Sequence, residues 1–314
     1  QDRALGEPGL LGGLTAGPLA PVANLVSASR LVRKVAETAT GISADFPLPP
    51  FATTTFERWL GSHEALPEAG QRGTVALFAT CLGDFNFPSM PANAVRVLEK
   101  NGYAVVRPRQ VCCGIPNLDG GDIAAAQEKA RVTVASLLAE VEAGRPIVVP
   151  GPTCSYTIRK EYPELLGTAA ARKVAENTFD VMEFLDKLRR KKELSLAFDG
   201  GPLGKVSYHA ACHLRAQKVG FPGARLLGQV RGTEVATVQE CCAVDGTWGM
   251  KAQYYALGQR YAQGLRRGLE GTDAALFVTD CMLSARRILQ ENGVVAVHPV
   301  EALARAYGVA VGVP

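Results

Sequence analysis

From residue 73 onward, short apolar runs alternate with longer amphipathic stretches. Runs such as Thr74–Phe78 and Pro146–Val149 have the length and composition of strands buried in a parallel sheet. The stretch Asp122–Ala143 predicts a long helix, with Asp122 as a suitable N-terminal cap. The remaining elements predicted in this half are a helix near 90–101, a strand at Ala104–Arg107 and helices from about 155 to 191.

The same order of elements recurs in the second half of the chain. The elements predicted there are strands at Val206–His209, Glu234–Val238, Ala275–Thr279 and Val294–Val297, and helices near 223–229, at 249–268, at 282–292 and from Val300. Strands that alternate with helices imply right-handed crossovers and a parallel sheet covered on both faces. The predicted fold is therefore α/β, with two duplicated, open parallel-sheet (Rossmann-like) lobes related by a pseudo-twofold. We place the first lobe at residues 73–199 and the second at residues 200–314.

Residues 1–72 differ from the rest and are predicted to form an amphipathic arm and linker, called the N-terminal arm below. Apolar residues such as Leu10 and Leu31 lie in stretches interrupted by Gly and Pro, and Arg30, Arg33 and Lys34 lie close together. Two interpretations stay open. Either the arm packs on its own protein or on a neighbour, or it rests on anionic lipid. The prolines that mark a linker before the first lobe are Pro47, Pro49 and Pro50.

The composition excludes several classes of protein. The 314 residues are 47% hydrophobic, 20% charged and 7% aromatic, which excludes disorder, collagen and coiled coil. A net charge of +4 without a basic segment argues against nucleic acid as a partner. No apolar run reaches the roughly 18 residues of a membrane-spanning helix. No signal-peptide pattern is present, which favours a reducing, cytoplasmic compartment.

Eight cysteines form two sets with the same order, namely one cysteine, an adjacent pair and one more cysteine. The first set is Cys81, Cys112, Cys113 and Cys154, and the second set is Cys212, Cys241, Cys242 and Cys281. Equivalent cysteines are 131, 129, 129 and 127 residues apart, and no cysteine is left over. This nearly constant offset indicates an internal duplication.

Each cysteine or pair follows a predicted strand. Because the carboxyl ends of parallel strands meet at one edge of a sheet, we expect each set to converge on one site. Four widely spaced thiolates suit an iron–sulfur cluster, in which adjacent cysteines bind different irons. Zinc is an alternative, although the C-x2–4-C pairs of structural zinc sites are missing. Disulfides, which the lack of an export signal disfavours, and buried structural cysteines are further alternatives.

The residues around these cysteines resemble the cysteine-rich CCG domain, which occurs in duplicate in a family of iron–sulfur oxidoreductase subunits. The matching stretches are VALFATCLGDFNFP (75–88), QVCCGIPN (110–117), PTCSYTIRKEYPEL (152–165), YHAACHL (208–214), ECCAVDGTWGMK (240–251) and VTDCMLSARRI (278–288). Family members include the CCG-containing subunit of heterodisulfide reductase and the iron–sulfur subunits of glycolate oxidase, lactate utilisation and anaerobic glycerol-3-phosphate dehydrogenase. The resemblance implies that the eight cysteines hold one or two iron–sulfur clusters of 4Fe-4S type, cubane or non-cubane.

The chain departs from the family pattern in three places. It lacks the ferredoxin-like domain with which dehydrogenase-type members usually begin, so those clusters are expected to be missing or on another chain. Where the fullest motif ends in C-x2-C, this chain has Thr157 and Ser284, which weakens the disulfide-cleaving interpretation and favours electron transfer. Ala243 stands where the first repeat has Gly114, so the second site is expected to differ in cluster or potential.

Four residues are predicted to support the clusters from outside the ligand set: Gly114, His209, His213 and Gly246. The histidines are candidates for donating to sulfur or relaying protons near quinone. The alternative for His209 is a strand-end residue bonded to the backbone. Gly246 lies in the turn that precedes a predicted helix. Either its N–H donates a hydrogen bond to cluster sulfide or to an anion, or the residue only forms the turn. His63 and His298 are assigned no role.

The predicted function is electron transfer from a flavoprotein dehydrogenase subunit, with a ferredoxin-like domain or chain, toward quinone or another acceptor. The chain is thus predicted to be an oxidoreductase subunit of a respiratory complex, and substrate oxidation is expected on its partner. The expected location is the cytoplasm, with peripheral contact at the inner face of the cell membrane. Two alternatives stay open, namely a disulfide or thiol reductase like heterodisulfide reductase, and a zinc-bound or metal-free assembly scaffold.

Overall fold

Two sheets, each built only of parallel strands, form the centre of the protein in a computed structural model that describes residues 6–313. The arrangement confirms the predicted α/β fold with two parallel-sheet lobes. The first five residues of the predicted arm, and Pro314 at the end of the predicted second lobe, lie outside the described residues. The lobe boundaries at residues 72 and 199 stay predictions.

The first sheet has the strand order β2-β1-β3-β4. Its strands are β1 Gly73–Leu77, β2 Tyr103–Val106, β3 Ile147–Val149 and β4 Thr178–Asp180. The three predicted strands are confirmed, with bounds that shift by at most one residue. Strand β4 lies inside the region predicted to be helical from about 155 to 191, so that prediction is wrong there. Its three residues pair in parallel with β3, and so short a segment carries no readable strand pattern.

The second sheet repeats this arrangement with the strand order β6-β5-β7. Its strands are β5 Gly204–His209, β6 Thr233–Val238 and β7 Leu276–Thr279. In both lobes the first strand lies in the middle, with the second strand on one side and the third on the other. The shared order agrees with a duplication of the whole strand–helix unit.

The strand predicted at 294–297 is wrong, because in this described segment Val297 alone pairs with the sheet. The Val297 N–H donates to the Phe277 carbonyl at 3.0 Å, and its carbonyl accepts from the Thr279 N–H at 3.0 Å. Pro299 follows closely and has no N–H with which to extend the ladder. The bridge takes the place beside β7 that β4 takes beside β3.

Helices connect the strands, as crossovers between parallel strands require. The arm contains α1 Pro8–Thr15, α2 Ala20–Ala28, α3 Arg30–Thr40 and α4 Phe56–Gly61. The first lobe contains α5 Cys81–Phe85, α6 Ser89–Lys100, α7 Ile115–Asp119, α8 Ile123–Glu142, α9 Pro152–Tyr156, α10 Tyr162–Leu166, α11 Ala169–Glu176 and α12 Val181–Arg190. The second lobe contains α13 Cys212–Ala216, α14 Pro222–Leu227, α15 Ala252–Glu270, α16 Met282–Asn292 and α17 Pro299–Tyr307. Shorter turns are the 3-10 turns Gly17–Leu19 and Trp248–Met250 and the π turn Thr157–Glu161.

The long helices form where the sequence predicts them. Asp122 caps α8, since its side chain accepts from the Ala125 N–H at 3.1 Å. Helix α15 begins at Ala252 instead of residue 249, because the 3-10 turn occupies the preceding residues. One apolar core spans both lobes, and it includes Leu98 of α6 and Leu303 of α17, two helices that pack together.

The N-terminal arm touches both lobes and leaves apolar side chains outside. Gly12 of α1 lies directly against the Phe85 ring of α5, and the Ala52 N–H donates to the Phe85 carbonyl at 2.8 Å. The Ser43 N–H donates to the Met250 carbonyl of the second lobe at 2.7 Å. The exposed large apolar side chains of the arm are Leu10, Leu11, Leu14, Leu19, Val22, Leu25, Val26, Leu31, Val32 and Val35. Among the described helices, none is by itself both long and apolar enough to cross a membrane, whereas Pro8–Thr15 and Gly17–Ala28, bent by 75°, reach that length and composition as a pair.

His298 is a buried cap of α17. Its Nδ1 accepts from the Val300 N–H at 3.1 Å, and the Glu301 carboxylate accepts from the His298 N–H at 2.7 Å. This reciprocal capping box satisfies backbone donors that the first helical turn leaves free. Burial lowers the pKa of His298 from 6.5 to about 3, so the folded protein holds the neutral ring.

We expect the free energy of unfolding to fall less between about pH 6.5 and about pH 5 in the His298→Asn variant than in the wild type. The unfolded chain binds a proton near pH 6.5 that the folded chain refuses, so His298 makes stability fall as the pH drops below that value. The effect is about 1.4 kcal/mol per pH unit. The asparagine side-chain oxygen is a capping acceptor that can replace Nδ1, and asparagine does not titrate. Urea unfolding near pH 6.5 and near pH 5 measures both slopes, and equal slopes in the two proteins would contradict the assignment.

Candidate metal centres

The first cysteine set meets at the carboxyl edge of the first sheet. Cys81 opens α5 after β1, Cys112 and Cys113 follow β2, and Cys154 lies in α9 after β3. The Cys112 side chain is hydrogen-bonded to Cys81 and Cys113, and Cys113 is hydrogen-bonded to Cys154. The structure thus brings the four thiols of this set into one connected group. Cys81 is partly buried, and the other three are buried.

The thiols of this group do not titrate alike. Hydrogen bonds from Cys113 and Cys81 hold the pKa of the Cys112 thiol well below its ordinary value, helped by the Gly114 N–H and the Lys129 charge. Hydrogen bonding to Cys112 raises the pKa of Cys81 and of Cys113. Metal binds thiolates, so the thiol protons of the set leave when metal binds.

Three residues that the sequence analysis did not select hold the loops of the first set. The buried Tyr162 hydroxyl donates to the Cys113 carbonyl at 2.8 Å. The Gln110 side-chain oxygen accepts from the Ala79 N–H at 2.9 Å, and Thr80 Oγ1 caps α5 by accepting from the Gly83 N–H at 3.0 Å. All three lie within the CCG-like stretches, so their proximity in sequence to the cysteines was the available signal.

The second cysteine set is also gathered at a sheet edge, but it is more open. Cys212 opens α13 after β5, the pair follows β6, and Cys281 caps α16 after β7. Cys212 interacts electrostatically with Cys281 and Cys241, and Cys242 does so with Cys281 and Cys212. Cys212 and Cys241 are exposed, Cys281 is partly buried and Cys242 is buried. Burial raises the pKa of Cys242 to about 12.

The positions of the missing extra cysteines carry hydroxyl groups that are already engaged. The Ser284 hydroxyl donates to Cys242 Sγ at 3.1 Å. The buried Thr157 hydroxyl donates to the Thr153 carbonyl at 2.7 Å and lies at the start of the π turn that follows α9. One hydroxyl therefore acts on a thiol of its set and the other braces the backbone.

Gly114 and Ala243 adopt the same kind of backbone conformation after their cysteine pairs. Their φ angles are 86° and 51°, both in the left-handed region that costs glycine little and alanine more. A Cβ on Gly114 would lie 3.3 Å from the Ala126 carbonyl oxygen. The second loop therefore stores backbone strain that the first loop avoids.

His209 ties together two loops of the second set. Its Nε2 donates to the Glu240 carbonyl at 3.0 Å, and its Nδ1 lies 2.8 Å from Thr279 Oγ1. Burial lowers the pKa of His209 to about 4, which keeps the ring neutral. Glu240 precedes Cys241, and Thr279 lies two residues before Cys281. These contacts agree with the alternative in which His209 is a strand-end residue hydrogen-bonded to the backbone.

His213 connects the second set with the first. Its Nδ1 lies 3.0 Å from Thr153 Oγ1, and its ring stacks on Tyr156 at 5.1 Å. Gln217, one turn further along, donates to the Pro152 carbonyl at 3.2 Å and to Ser155 Oγ at 2.9 Å. The helix that contains Cys154 therefore packs against the helix that Cys212 opens.

Gly246 packs the second cysteine loop against the first lobe. Its φ is 60°, and a Cβ there would lie 2.6 Å from Asp119 Oδ2 at the end of α7. Burial, with the charges of Asp245 and Glu161, raises the pKa of Asp119 to about 6. This close contact explains why a residue without a Cβ stands at position 246. The bond from Gly246 to sulfide or an anion stays a prediction.

The donor sets fit iron–sulfur clusters. Each consists of four thiols in one region, as the common cluster type requires, and the ligands of a cluster are distributed over several irons. Across residues 6–313, no group of three or more His, Cys, Asp or Glu side chains is arranged to hold a single metal ion.

A family model described as a cysteine-rich domain, CCG, matches the chain twice, at residues 75–159 and at residues 206–283. The chain belongs to the CCG family. Each match begins in the strand before the first cysteine of a set and includes all four of its cysteines. The double match confirms the resemblance and the internal duplication that the cysteine spacing predicts.

Three relatives illustrate the extent of the similarity. One of the subunits of anaerobic glycerol-3-phosphate dehydrogenase from Escherichia coli (strain K12) is 29% identical over 311 residues, which cover 98% of this chain and 77% of that protein. "Lactate utilization protein A 2" of Bacillus cereus (strain AH820) is 26% identical over 246 residues, covering 74% and 98%. "Lactate utilization protein A" of Shouchella clausii (strain KSM-K16) is 27% identical over 235 residues, covering 70% and 92%. The similarity to the first protein extends beyond the CCG repeats into the arm.

We expect Ala243→Gly to stabilise the protein and Gly114→Ala to destabilise it. Left-handed alanine costs about 1 kcal/mol more than glycine, and alanine at 114 must also move the Ala126 backbone. Calorimetry of the reduced, metal-free protein should therefore show a higher midpoint for A243G and a lower one for G114A. A lower midpoint for A243G would show that the second loop is not strained.

Proposed function

We propose that this CCG protein is an iron–sulfur electron-transfer subunit of an oxidoreductase. The observation that supports the proposal is the convergence of four thiols at the carboxyl edge of each sheet. Of the relatives, one is named as a dehydrogenase subunit and others as lactate utilization proteins. These similarities support an oxidoreductase-associated role for the chain.

The proposed cofactors are 4Fe-4S-type clusters, cubane or non-cubane, one at each cysteine set. A bound cluster supplies reversible one-electron chemistry. The eight cysteine thiolates hold the irons, while nearby donors adjust the charge on sulfur. In the second set, the Ala243 N–H donates to Cys241 Sγ at 3.3 Å, and the Ser284 hydroxyl donates to Cys242 Sγ at 3.1 Å. Such bonds stabilise negative charge on sulfur and raise the reduction potential.

The contact between α9 and α13 suits passage of electrons between the two sites. Thr153, next to Cys154, touches His213, next to Cys212. The proposed donor is a flavoprotein dehydrogenase subunit, reached directly or through a ferredoxin-like domain or chain, and the proposed acceptor is quinone or another oxidant. Oxidation of the organic substrate is assigned to the partner in a respiratory complex.

The alternative of a heterodisulfide-reductase-like enzyme is not favoured. Thr157 and Ser284 stand where the fullest CCG motif has additional cysteine ligands, and both hydroxyls are engaged in hydrogen bonds. A hydroxyl is a poor substitute for a thiolate as an iron ligand. Metal content distinguishes the zinc-bound or metal-free scaffold from an electron-transfer subunit.

We propose in addition that the N-terminal arm binds the inner, cytoplasmic face of the cell membrane. Its exposed apolar side chains form a surface that water does not favour. On α3, Leu31 and Val35 lie one turn apart and exposed, and Arg30 and Lys34 are spaced in the same way. Apolar and basic positions side by side suit a helix that rests on anionic lipid.

We expect anaerobically purified protein to contain about eight irons per chain with both sets loaded, or about four with one. Cys113→Ser and Cys242→Ser change the equivalent buried cysteine of each pair, so each should remove one cluster and leave the other. Iron and acid-labile sulfide analysis, with EPR of the reduced protein, measures this. Zinc without iron or sulfide would establish the scaffold alternative. Turnover of a disulfide that is lost in Cys241→Ser would establish the reductase alternative.

The double variant Leu25→Glu, Leu31→Glu is expected to release the protein from anionic vesicles. The two side chains are 75% and 81% exposed, so the fold should tolerate the change. Each leucine withdrawn from lipid forfeits about 2 kcal/mol, which predicts more than tenfold weaker binding. Flotation with phosphatidylglycerol-containing vesicles measures it, with Val295→Glu, 73% exposed in the second lobe, as control. Equal flotation of the double variant and the wild type would exclude the arm as a membrane contact.

A further inference from the structure

A cavity of about 780 Å³ lies between the first cysteine set and the N-terminal arm. Cys81 and Cys112 line one side of it, and Gly9 and Leu10 of α1 line another. Val132 of α8 also lines it. The volume is within the range of roughly 300–1,000 Å³ that is typical of small-molecule sites. The cavity therefore connects two thiols of the first set with the apolar arm.

The acidic groups around the cavity are neutralised by basic partners. The pairs are Asp84–Arg107 at 2.7 Å, Glu57–Arg107 at 3.0 Å, Glu7–Lys129 at 2.8 Å and Glu128–Arg131 at 3.0 Å. Because these charges are paired, the cavity does not have the excess of cationic groups that a multiply charged anion needs. Its electrostatics suit a neutral ligand.

Two donors on the cavity wall are available to such a ligand. The Arg109 guanidinium has no ion-pair partner within the described chain. The Gln110 oxygen accepts from the Ala79 N–H, while its amide nitrogen makes no hydrogen bond to residues 6–313. Both groups donate, and a carbonyl oxygen is the complementary acceptor.

Apolar side chains make up the rim of the cavity. Leu10, Val111 and Val132 line it and are exposed to water. Leu10 also belongs to the exposed apolar surface of the arm. A ligand with an apolar ring or tail would cover these side chains and could enter the cavity from a lipid surface along α1.

We propose that this cavity binds a lipid-soluble quinone, with its carbonyl groups toward Arg109 and Gln110 and its tail along α1. The proposal rests on the proposed electron-transfer function and names the site of its acceptor. Two electrons, donated one at a time by the reduced protein, and two protons from water convert the two ring carbonyls into hydroxyls. No bond to the protein forms or breaks, and the dehydrogenase partner restores the reduced protein.

The test measures binding of 2-heptyl-4-hydroxyquinoline N-oxide, a quinone-site probe whose fluorescence falls when it is bound, to the purified full chain. Val132→Trp should fill the cavity and weaken binding by at least about tenfold. Ile123→Trp adds the same ring to the same helix outside the cavity, at a side chain 45% exposed against 36% for Val132, and should bind as the wild type does. Arg109→Met, which removes a donor at an exposed position, should weaken binding about tenfold.

Iron content and EPR spectra are recorded for every variant and should match the wild type. Unchanged binding in both Val132→Trp and Arg109→Met would overturn the assignment of the cavity, as would failure of the iron-loaded wild type to bind the probe. Either result leaves intact the electron-transfer proposal, which depends on the iron and sulfide analysis. Equal weakening in Ile123→Trp would also overturn the assignment, because the effect would then not come from the cavity.

Discussion

The chemistry of this protein depends on the convergence of parallel strands at their carboxyl ends. Within a set, cysteines as far apart as Cys113 and Cys154 meet only because β2 and β3 both lie beside β1 and point the same way. The ladder hydrogen bonds fix that geometry before any metal is present. The loops then need special backbone at the turn, and Thr80, Gly114 and Ala243 all have positive φ angles next to the cysteines.

The same constraint, applied to two diverged sequences, produces two unequal sites. In the first lobe the Tyr162 hydroxyl holds the cysteine loop by donating to the Cys113 carbonyl, and the free thiols of this set are hydrogen-bonded to one another. In the second lobe, His209 occupies the place of the buried Phe78 and fastens the loop through Glu240. Two thiols of that set face solvent. Exposure and hydrogen bonds to sulfur both change the reduction potential of a bound cluster. Clusters held at these two sites would therefore differ in reduction potential.

The sequence predicts most of the fold, because apolar runs and the cysteine offset are properties of the chain itself. It fails where the structure depends on tertiary pairing. Strand β4 and the bridge at Val297 are defined by a neighbouring strand, and neither has enough residues for a period. The cysteine sets are predictable from strand ends, whereas the roles of Tyr162 and His213 are not. Each acts through a partner at least 49 residues away in the chain, which no local pattern reveals.

The two cysteine sites lie in different surroundings. Cys81 and Cys112 line the cavity next to the arm, while Cys154 lies in the helix that packs against the second lobe. From Cys154 the contacts pass through Thr153 and His213 to Cys212, which is exposed. The helices that contain Cys154 and Cys212 pack directly on each other, so protein lies between the two sites there and screens charge less than water does. The arm lies beside both sites, because its Gly12 packs against Phe85 of α5 and its Ile42 and Phe46 belong to the same apolar cluster as Cys242.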